Sequence, residues 1–350
     1  MKIIVLCLPG IGDALMATPM ISVLKKEMPN STIDVACMFE GVRYIFKNNK
    51  NVDKIHFLKI YKQNKILGAL RVLKLRKEKY DVSILTFPAY RRDYHITQWL
   101  VGAKKRICHT FSHGYYSEFN FLDNVLIPVD ETRHHVPNNL NLLKPLGINW
   151  EKKYKTKNLF YDLALDREDI NTGKAYIKEL GWSDKTIVGL HPGSVNSKVG
   201  VLKRWPPENF AHLAKKLVSQ NKKVLIFIGP DEANLGAKLE VLIDNKKDCR
   251  LVNDLKFNQS VGLLSQLDLM ISNDNGFAHL SNALQIKSIV LFGPTNPDWC
   301  RPYNKKYHKT IRKAPFKPWF RNDIKVDSPP KGVKSGMEYI NVDDVLALIH

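Results

Sequence analysis

The sequence predicts an α/β protein made of two halves, each a parallel sheet covered by helices. The chain has 350 residues, a length that suits two ordinary domains. Short apolar runs alternate with helical patterns in the first half, and the same alternation restarts in the second half. Hydrophobic residues make up 44% of the chain and charged residues 25%, which is typical of a folded protein rather than a disordered one.

The first half is predicted to contain five strands with helices between them. These strands cover residues 3–8, 32–38, 55–58, 82–87 and 106–109. A glycine-containing turn follows the first strand, and apolar residues then recur at helical spacing between Met20 and Met28. Pro19 predicts a kink or a late start in that helix. A second helical pattern covers residues 65–77.

The second half repeats this alternation. Its predicted strands cover residues 186–190, 223–228, 251–252, 269–272 and 288–292, and its predicted helices cover 210–219, 235–243, 260–266 and 277–284. The polar, lysine-rich residues 150–158 indicate a linker, so we place one domain at 1–160 and the next at 161–335. Prolines exclude regular structure from residues 314–336. A final helix is expected at 342–349, capped by Asn341 or Asp343.

The charge balance predicts an anionic partner. Lys and Arg number 54 against 34 Asp and Glu, so the net charge is +20. Residues 43–79 contain twelve Lys and Arg against Asp53 and Glu78, a net of 12 − 2 = +10. Such a field attracts nucleic acid, phosphorylated small molecules or an anionic membrane face, although a solvated surface is the simpler alternative.

The cysteines and apolar runs indicate where the protein works. Five scattered cysteines, with no paired spacing, argue against a disulfide scaffold and a structural zinc site, and favour a reducing cytoplasm. No run approaches the roughly 18 apolar residues of a membrane span. The apolar run at residues 3–8 is shorter than the roughly 7–15 residues of a signal peptide, so export is not expected.

Ligands of open α/β sheets bind at the carboxyl ends of the strands, so the loops that follow the predicted strands are candidate sites. The loop after the first strand contains Gly10, Gly12 and Asp13. It matches neither the G-x-G-x-x-G nor the Walker pattern. Asp13 is either a helix cap or a general base, and local sequence leaves both interpretations open.

Four loops of the second half carry groups suited to a nucleotide diphosphate. Hydroxyl, amide and cationic groups can bind phosphate, a carboxylate can bind ribose, and a helix N-terminus attracts an anion. The backbone N–H groups of Asn275, Gly276 and Phe277 are expected to point outward from such a terminus. Turns, helix caps and a structural histidine are the alternative explanations. The candidate residues are His191, Gly193, Ser194, Lys203, Arg204, Glu232, Asp274, Asn275, Gly276, His279 and Thr295.

Five segments of the sequence together resemble glycosyltransferase family 9, the ADP-heptose:lipopolysaccharide heptosyltransferases, over nearly the whole chain. Residues 10–13 with Pro19 match the family's GDxxxxxP opening, and residues 134–147 its H-x-V…LG segment. Residues 203–206 match a basic-aromatic-proline motif, residues 274–279 resemble D-[ST]-G-x-x-H, and residues 292–295 contain G-P-T. Asn275 stands where the family usually has Ser or Thr, and residues 314–336 lack the cysteines that many relatives carry there.

The resemblance implies a GT-B fold: two Rossmann-like domains whose parallel sheets face a cleft, with the last helix, 336–350, crossing back to the first domain. It implies heptose transfer with inversion and without a metal or cofactor, from a nucleotide-diphospho-sugar to a lipopolysaccharide-core acceptor. Asp13 would be the base, and Lys203 with the Gly276 terminus would stabilise the leaving diphosphate. Gly12 would join the donor-binding residues named above. Arg91 and Arg92 could grip acidic groups of the acceptor.

Other functions fit the residues less well. A dinucleotide-dependent oxidoreductase lacks its glycine fingerprint, and a nucleic-acid-binding protein lacks a basic-aromatic stripe. A non-catalytic sugar-nucleotide sensor would not need both Asp13 and Lys203. A different nucleotide sugar or a non-lipopolysaccharide acceptor remains the alternative within the family. The expected partners are thus the sugar nucleotide, an acidic or lipid-linked saccharide and the anionic inner membrane, with no nucleic acid.

Overall fold

The structure is a computed structural model that describes residues 1–59, 65–89, 91–111, 119–197, 200–243, 245–320 and 329–349. The described residues form two compact units, and the division between them falls between Ala164 and Leu165. The sequence predicts this division at residue 160. Residues 60–64 and 90, and part of the proline-rich stretch 314–336, lie outside the described residues.

The first unit contains a six-stranded sheet in which every described pairing is parallel. Its strands are β1 (Lys2–Cys7), β2 (Thr32–Cys37), β3 (Lys54–Phe57), β4 (Val82–Leu85), β5 (Lys105–Thr110) and β6 (Val125–Pro128). Their spatial order is β3-β2-β1-β4-β5-β6, the order of a dinucleotide-binding fold. The order reverses between β1 and β4, so a crevice for a ligand is expected beside the carboxyl ends of these two strands.

The helices of the first unit connect these strands. They are α1 (Ile11–Glu27), α2 (Glu40–Lys47), α3 (Lys65–Leu73), α4 (Arg92–Val101), α5 (His135–Asn141) and α6 (Trp150–Lys153). α1 begins before Pro19 and runs through it, so the prediction of a late start was wrong. Pro19 cannot donate to the carbonyl of Leu15, but the Thr18 hydroxyl donates to that oxygen at 2.7 Å instead. This replacement hydrogen bond explains why the helix tolerates the proline.

The second unit repeats the architecture. Its strands are β7 (Ile187–His191), β8 (Lys223–Phe227), β9 (Cys249–Val252), β10 (Leu269–Asn273), β11 (Lys287–Leu291) and β12 (His308–Ile311). Its helices are α7 (Arg167–Glu179), α8 (Pro207–Ser219), α9 (Ala233–Leu242), α10 (Phe257–Leu264), α11 (Gly276–Ala283), α12 (Pro297–Cys300) and α13 (Val342–Leu346). The parallel strand order β12-β11-β10-β7-β8-β9 is that of the first unit, and it reverses between β7 and β10.

The predicted alternation of strands and helices is confirmed, with β6 and β12 as the strands that sequence patterns missed. Both lie at sheet edges. Edge strands are short and half-exposed, so their side chains need not form the continuous apolar run that marks a buried parallel strand. The predicted helix at 65–77 ends at Leu73 and continues as a 3-10 turn, Lys74–Glu78.

The C-terminal helix α13 belongs to the second unit. Val342 and Val345 lie in the same apolar core as Trp205 and Phe210. The Trp205 indole also donates to the carbonyl of Ile340 at 2.8 Å. The helix therefore packs on the core of the second unit. Of the two predicted caps, it is Asn341 whose side chain accepts the Asp344 N–H.

The remaining fold-level expectations concern cysteines and membrane spans. Cys7, Cys37, Cys108, Cys249 and Cys300 are all buried and free, as the scattered spacing predicts. Within the described residues, no helix has the length and hydropathy that crossing a bilayer requires.

Candidate functional site

Most of the predicted donor-binding residues meet at the crevice of the second unit. His191 ends β7, and Asn273 ends the neighbouring strand β10. The loops after these two strands therefore start side by side at the point where the strand order reverses. Six of the predicted side chains are buried there: His191, Ser194, Glu232, Asp274, His279 and Thr295.

Asp274 is the acceptor of a small polar cluster. Its Oδ2 lies 2.7 Å from the Lys203 ammonium and accepts a 2.9 Å hydrogen bond from the Thr295 hydroxyl. Only 13% of the Lys203 side chain and 7% of the Asp274 side chain are exposed. The pair therefore fixes the position of a cation that sequence analysis assigns to the departing diphosphate. Lys203 also lies over the Phe320 ring, 5.7 Å from its centroid.

Asn275 joins two of the predicted loops. Its Oδ1 caps α11 by accepting the N–H groups of Phe277 at 2.9 Å and Ala278 at 3.4 Å. Its Nδ2 donates to the carbonyl of Gly193 at 2.8 Å and lies 2.9 Å from His191 Nδ1. A serine or threonine at this position could cap the helix, but its side chain is shorter and has one donor where the carboxamide has two. The carboxamide therefore connects the α11 terminus to the β7 loop.

This cap corrects one expectation. The backbone N–H of Phe277 was predicted to point outward at a ligand, together with those of Asn275 and Gly276. Asn275 Oδ1 occupies the Phe277 N–H instead. The correction has a simple cause, because an Asn at the N-cap satisfies the N2 or N3 donor with its own side chain.

Glu232 and Arg204 order the backbone around the same crevice. The Glu232 carboxylate accepts the Gly229 N–H at 2.9 Å and lies so close to Gly193 that a Cβ there would stand 1.6 Å from Oε1. Gly193 is thus required by packing. Arg204 donates to the Ser194 carbonyl at 2.8 Å and to its hydroxyl at 3.3 Å. Both contacts keep the 191–194 loop in one conformation.

Two histidines of the site are held neutral. Burial lowers the pKa of His279 to about 4, against an opposing effect of the Asp274 carboxylate. Burial also lowers the pKa of His191, although Glu232, 3.8 Å away, acts in the opposite direction. His191 stacks on the Phe277 ring with centroids 4.3 Å apart. At neutral pH the positive charge of this crevice therefore comes from Lys203 and Arg204.

Sequence patterns did not predict the side-chain roles of two residues in this crevice. Asn273 is fully buried, accepts the Trp205 N–H at 3.0 Å and donates to the carbonyl of Pro192 at 2.7 Å. Phe277 supplies the ring on which His191 stacks. An amide at the end of an apolar strand was the available signal for Asn273. The role of Phe277 had no signal, because aromatic residues near a helix start are common in cores.

The crevice of the first unit carries the predicted base. Asp13 and Gly12 lie in the first turn of α1, directly after β1, and the Asp13 side chain is half-buried. The helix N-cap is Gly10, which has no capping side chain. A carboxylate in a first turn is favoured by the helix dipole. Because Gly10 is the N-cap, Asp13 is not the helix cap that the sequence allowed as an alternative.

Arg91 and Arg92 follow β4, on the other side of the strand reversal in the first unit. Arg91 donates to both Asp93 oxygens, at 2.9 and 2.8 Å, and lies over the Tyr94 ring. Arg92 is exposed and lies 5.8 Å from the Phe119 centroid. The structure thus brings these cations to the β4 end of the sheet but commits Arg91 to a neighbouring carboxylate.

The first unit also contains a buried polar cluster of potential metal ligands. Sequence patterns did not predict it, because its residues are far apart in the sequence. His95, Cys108 and Asp123 are buried and bring one ligand atom each within 4.8 Å of one another. His95 Nδ1 and Asp123 Oδ2 are 2.6 Å apart, which is a hydrogen-bond distance. Burial raises the pKa of Cys108, so its thiol stays protonated. The arrangement is that of a hydrogen-bonded His–Asp pair beside a neutral thiol.

Comparison with known proteins identifies the family. Residues 73–325 match the family model of glycosyltransferase family 9 (heptosyltransferase). Lipopolysaccharide heptosyltransferase 2 of Salmonella typhimurium is 27% identical over 163 residues, which are 43% of this chain and 45% of that protein. The alignment thus spans under half of that relative. Lipooligosaccharide heptosyltransferase 2 of Campylobacter jejuni is 27% identical over 316 residues, covering 89% of this chain and 86% of the relative.

The fold comparison agrees. The structure of Escherichia coli ADP-heptose lps heptosyltransferase II superposes with a TM-score of 0.76 at 20% identity, over 100% of this chain and 97% of that one. The predicted GT-B class of two parallel sheets is confirmed by this likeness and by the two strand orders. The family model covers well over half of the sequence. The chain therefore belongs to glycosyltransferase family 9.

Proposed function

We propose that this chain transfers heptose from a nucleotide-diphospho-heptose, ADP-heptose, to an acidic lipopolysaccharide-core acceptor, with inversion and without a metal. The observation that carries the proposal is the crevice of the second unit, where a half-buried lysine, an arginine and a helix start follow neighbouring strands. The heptosyltransferase relatives support the sugar, and the likeness to the E. coli ADP-heptose lps heptosyltransferase II supports ADP as its carrier.

The second unit would bind the donor. Lys203, already fixed by Asp274, and Arg204 would lie beside the diphosphate, and the α11 terminus would add its dipole. The backbone N–H groups of Gly193 and Ser194 would supply further donors, and the Thr295 hydroxyl would hold Asp274 in place. The Glu232 carboxylate follows β8 and would accept hydrogen bonds from ribose hydroxyls.

The first unit would supply the base. Asp13 would accept the proton of the acceptor hydroxyl as its oxygen attacks the anomeric carbon of the heptose. The bond from that carbon to the diphosphate oxygen breaks, and the electron pair leaves with the nucleotide diphosphate. Attack opposite to the leaving group inverts the anomeric configuration. Lys203 would stabilise the charge that develops on the diphosphate, which is electrostatic catalysis by a fixed group.

The acceptor would bind to the first unit through Arg91 and Arg92, since guanidinium groups bind carboxylates and phosphates in a bidentate manner. For a lipid-linked acceptor, the protein would attach peripherally to the anionic inner face of the inner membrane, on its cytoplasmic side. The +10 net charge of residues 43–79 supports this location.

Thermal stabilisation by nucleotides tests the donor assignment. The purified protein is heated with ADP, UDP, GDP, CDP or TDP, each with and without a chelator. A ligand that binds the folded state raises its stability by mass action. We expect a selective shift with ADP that the chelator does not change. The same panel with Lys203→Gln should show a smaller shift, whereas Lys185→Gln, an exposed lysine before β7, should behave as the unchanged protein.

Two outcomes would revise the proposal in different ways. Selectivity for another diphosphate would replace the donor and keep the fold and the roles of Asp13 and Lys203. A shift that requires a divalent metal would contradict metal independence. Equal, small shifts with all five nucleotides would contradict the assignment of this crevice to a nucleoside diphosphate.

A further inference from the structure

The first unit carries exposed apolar side chains among cations on α3, α4 and two 3-10 turns. The exposed fractions are 76% for Phe121, 53% for Leu67, 50% for Leu70, 45% for Trp99 and 37% for Ile96. Single exposed apolar residues are ordinary, but a connected group marks an interaction surface. We call the described residues of α3, α4, the 3-10 turns Lys74–Glu78 and Asn120–Leu122, and Phe119 the aromatic-basic surface.

The surface is continuous. α3 packs against α4. The Arg76 guanidinium donates to the Leu100 carbonyl at 3.1 Å and lies 5.8 Å from the Trp99 ring centroid. At the other end, Arg92 lies 5.8 Å from the Phe119 centroid, and Phe119 lies 5.6 Å from Phe121. A cation–ring contact therefore lies near each end of α4.

Helical spacing places the apolar groups on shared faces. Leu67, Leu70 and Lys74 are spaced by three and four residues, as are Arg92, Ile96 and Trp99. Their neighbours Val72, Tyr94 and Val101 are buried in the core. Each helix thus buries one apolar face in the core and also carries apolar side chains on its exposed face.

Charge identifies the partner. Residues 65–79 contain six Lys and Arg against Glu78, a net of 6 − 1 = +5, and the Glu78 carboxylate contacts the ammonium groups of Lys2 and Lys54. A strongly basic face with tryptophan, phenylalanine and leucine is the composition of an interfacial helix on anionic lipid. Aromatic rings favour the headgroup level, and each cation adds attraction to the anionic surface.

We propose that the aromatic-basic surface docks on an anionic lipid bilayer, with Trp99 and Phe121 inserted at the boundary between headgroups and acyl chains. The inference deepens the proposed function and depends on it for biological sense, because a lipid-linked acceptor would lie in the same membrane. Beyond the attraction of net charge, Trp99 and Phe121 would act as apolar anchors at a defined depth in the bilayer.

Vesicle sedimentation and depth-dependent quenching test it. The full chain is mixed with vesicles of phosphatidylglycerol and phosphatidylcholine, or of phosphatidylcholine alone. We expect binding to the anionic vesicles that weakens strongly in about 0.5 M salt, where the Debye length is a few ångströms. Trp99→Ser with Phe121→Ser should weaken partitioning roughly tenfold. Arg71→Gln with Lys74→Gln should weaken it by a similar factor.

Matched controls come from the second unit. Val195 and Val241 are 63% and 81% exposed, so Val195→Ser with Val241→Ser removes as many exposed apolar groups elsewhere. Lys246→Gln with Lys247→Gln removes two exposed cations. Both controls should bind vesicles as the unchanged protein does. Circular dichroism and the ADP shift show whether each variant is folded.

Quenching gives the decisive measurement. Lipids brominated near the headgroup end of the acyl chain should quench part of the tryptophan fluorescence, and Trp99→Phe should abolish that part while binding persists. Equal binding to neutral vesicles, equal loss in the control pairs, or quenching that survives Trp99→Phe would each overturn the proposal.

Heptose transfer to a soluble, delipidated acceptor separates this inference from the proposed function. The aromatic-basic variants should retain transfer to the soluble acceptor while losing vesicle binding. Transfer absent from the unchanged protein, with vesicle binding and quenching intact, would contradict the proposed function alone. Loss of soluble transfer in the folded double variants would contradict a pure docking role.

Discussion

The crevices of the two units follow one strand order but hold their polar side chains differently. In the second unit, the loops after β7 and β10 carry polar groups that bind one another: Asn275 spans two loops, and the buried Asp274 holds Lys203. In the first unit, Asp13 is half-buried, and Arg92 is exposed. Because the sheets are alike, the loop residues alone account for this contrast.

The contrast fits the two substrates of the proposed function. A nucleoside diphosphate is small and its charge is fixed, so a network of buried partners can position cations for it in advance. A large acidic saccharide needs an open face with cations that can adjust. The second unit is therefore the more prepared of the two, and substitutions there should affect binding, whereas those at Asp13 should affect chemistry.

The largest expected effect comes from Asp13→Asn. Losing a general base lowers the turnover rate by about 10²–10⁴, and the amide keeps the size of the side chain. ADP binding to the second unit should be unchanged. The measurement is kcat for heptose transfer beside the ADP dissociation constant.

Glu40→Gln is the matched control, because Glu40 is the acidic residue in the first turn of α2. It should leave kcat unchanged. Full activity in Asp13→Asn would remove Asp13 as the base.

Lys203→Gln should have the next largest effect. Removing one fixed group that stabilises developing charge lowers the rate by roughly 10²–10³. Unlike the change at Asp13, it should also weaken ADP binding. Measuring both constants separates the two residues, and a variant with normal kcat would show that Lys203 serves only its ion pair with Asp274.

Asn275→Ser should have a smaller effect on ADP affinity, and it tests the contacts by which Asn275 connects the α11 terminus to the β7 loop. Serine can keep the α11 cap, but the contacts of Nδ2 with Gly193 and His191 are lost. Each neutral hydrogen bond contributes about 1 kcal/mol, so we expect ADP affinity to fall roughly tenfold. Asn341→Ser, at the cap of α13, should leave affinity unchanged. Equal affinity in both variants would contradict a bridging role for the carboxamide.

The smallest effect concerns pH. Unfolded His279 binds a proton below about pH 6.5. The folded protein keeps it neutral down to about pH 4, because burial lowers its pKa. Between these values the unfolded chain binds more protons, so the free energy of unfolding falls as pH drops from 6.5 to 4.

Denaturation in urea across this pH window measures the slope. His279→Gln should reduce the slope, while the exposed His212→Gln should not. Burial lowers the pKa values of His109 and His308 to about 4 as well, so part of the slope should remain. An unchanged slope in His279→Gln would contradict the buried neutral state of this histidine.

Sequence patterns predicted the fold well because buried parallel strands are continuous apolar runs, as in 3–8 and 223–228. They failed where local rules compete with tertiary contacts. Pro19 lies inside α1 because Thr18 supplies the missing donor.

The candidate site was predictable in part, because the same apolar runs show where each strand ends and its loop begins. Loops after strands could be found by position, and they contain His191, Lys203 and Asp274. The partners of those groups could not, since the reach of Asn275 to Gly193 depends on the pairing of β7 with β10. The same holds for the cluster of His95, Cys108 and Asp123, whose members come from separate elements.

The most direct measurement is the anomeric configuration of the product. The protein is incubated with ADP-heptose and a soluble acidic core saccharide in the presence of a chelator, and the new linkage is read by NMR. The account predicts transfer with the configuration opposite to that of the donor. A retained configuration, or transfer that starts only when a divalent metal is restored, would contradict it.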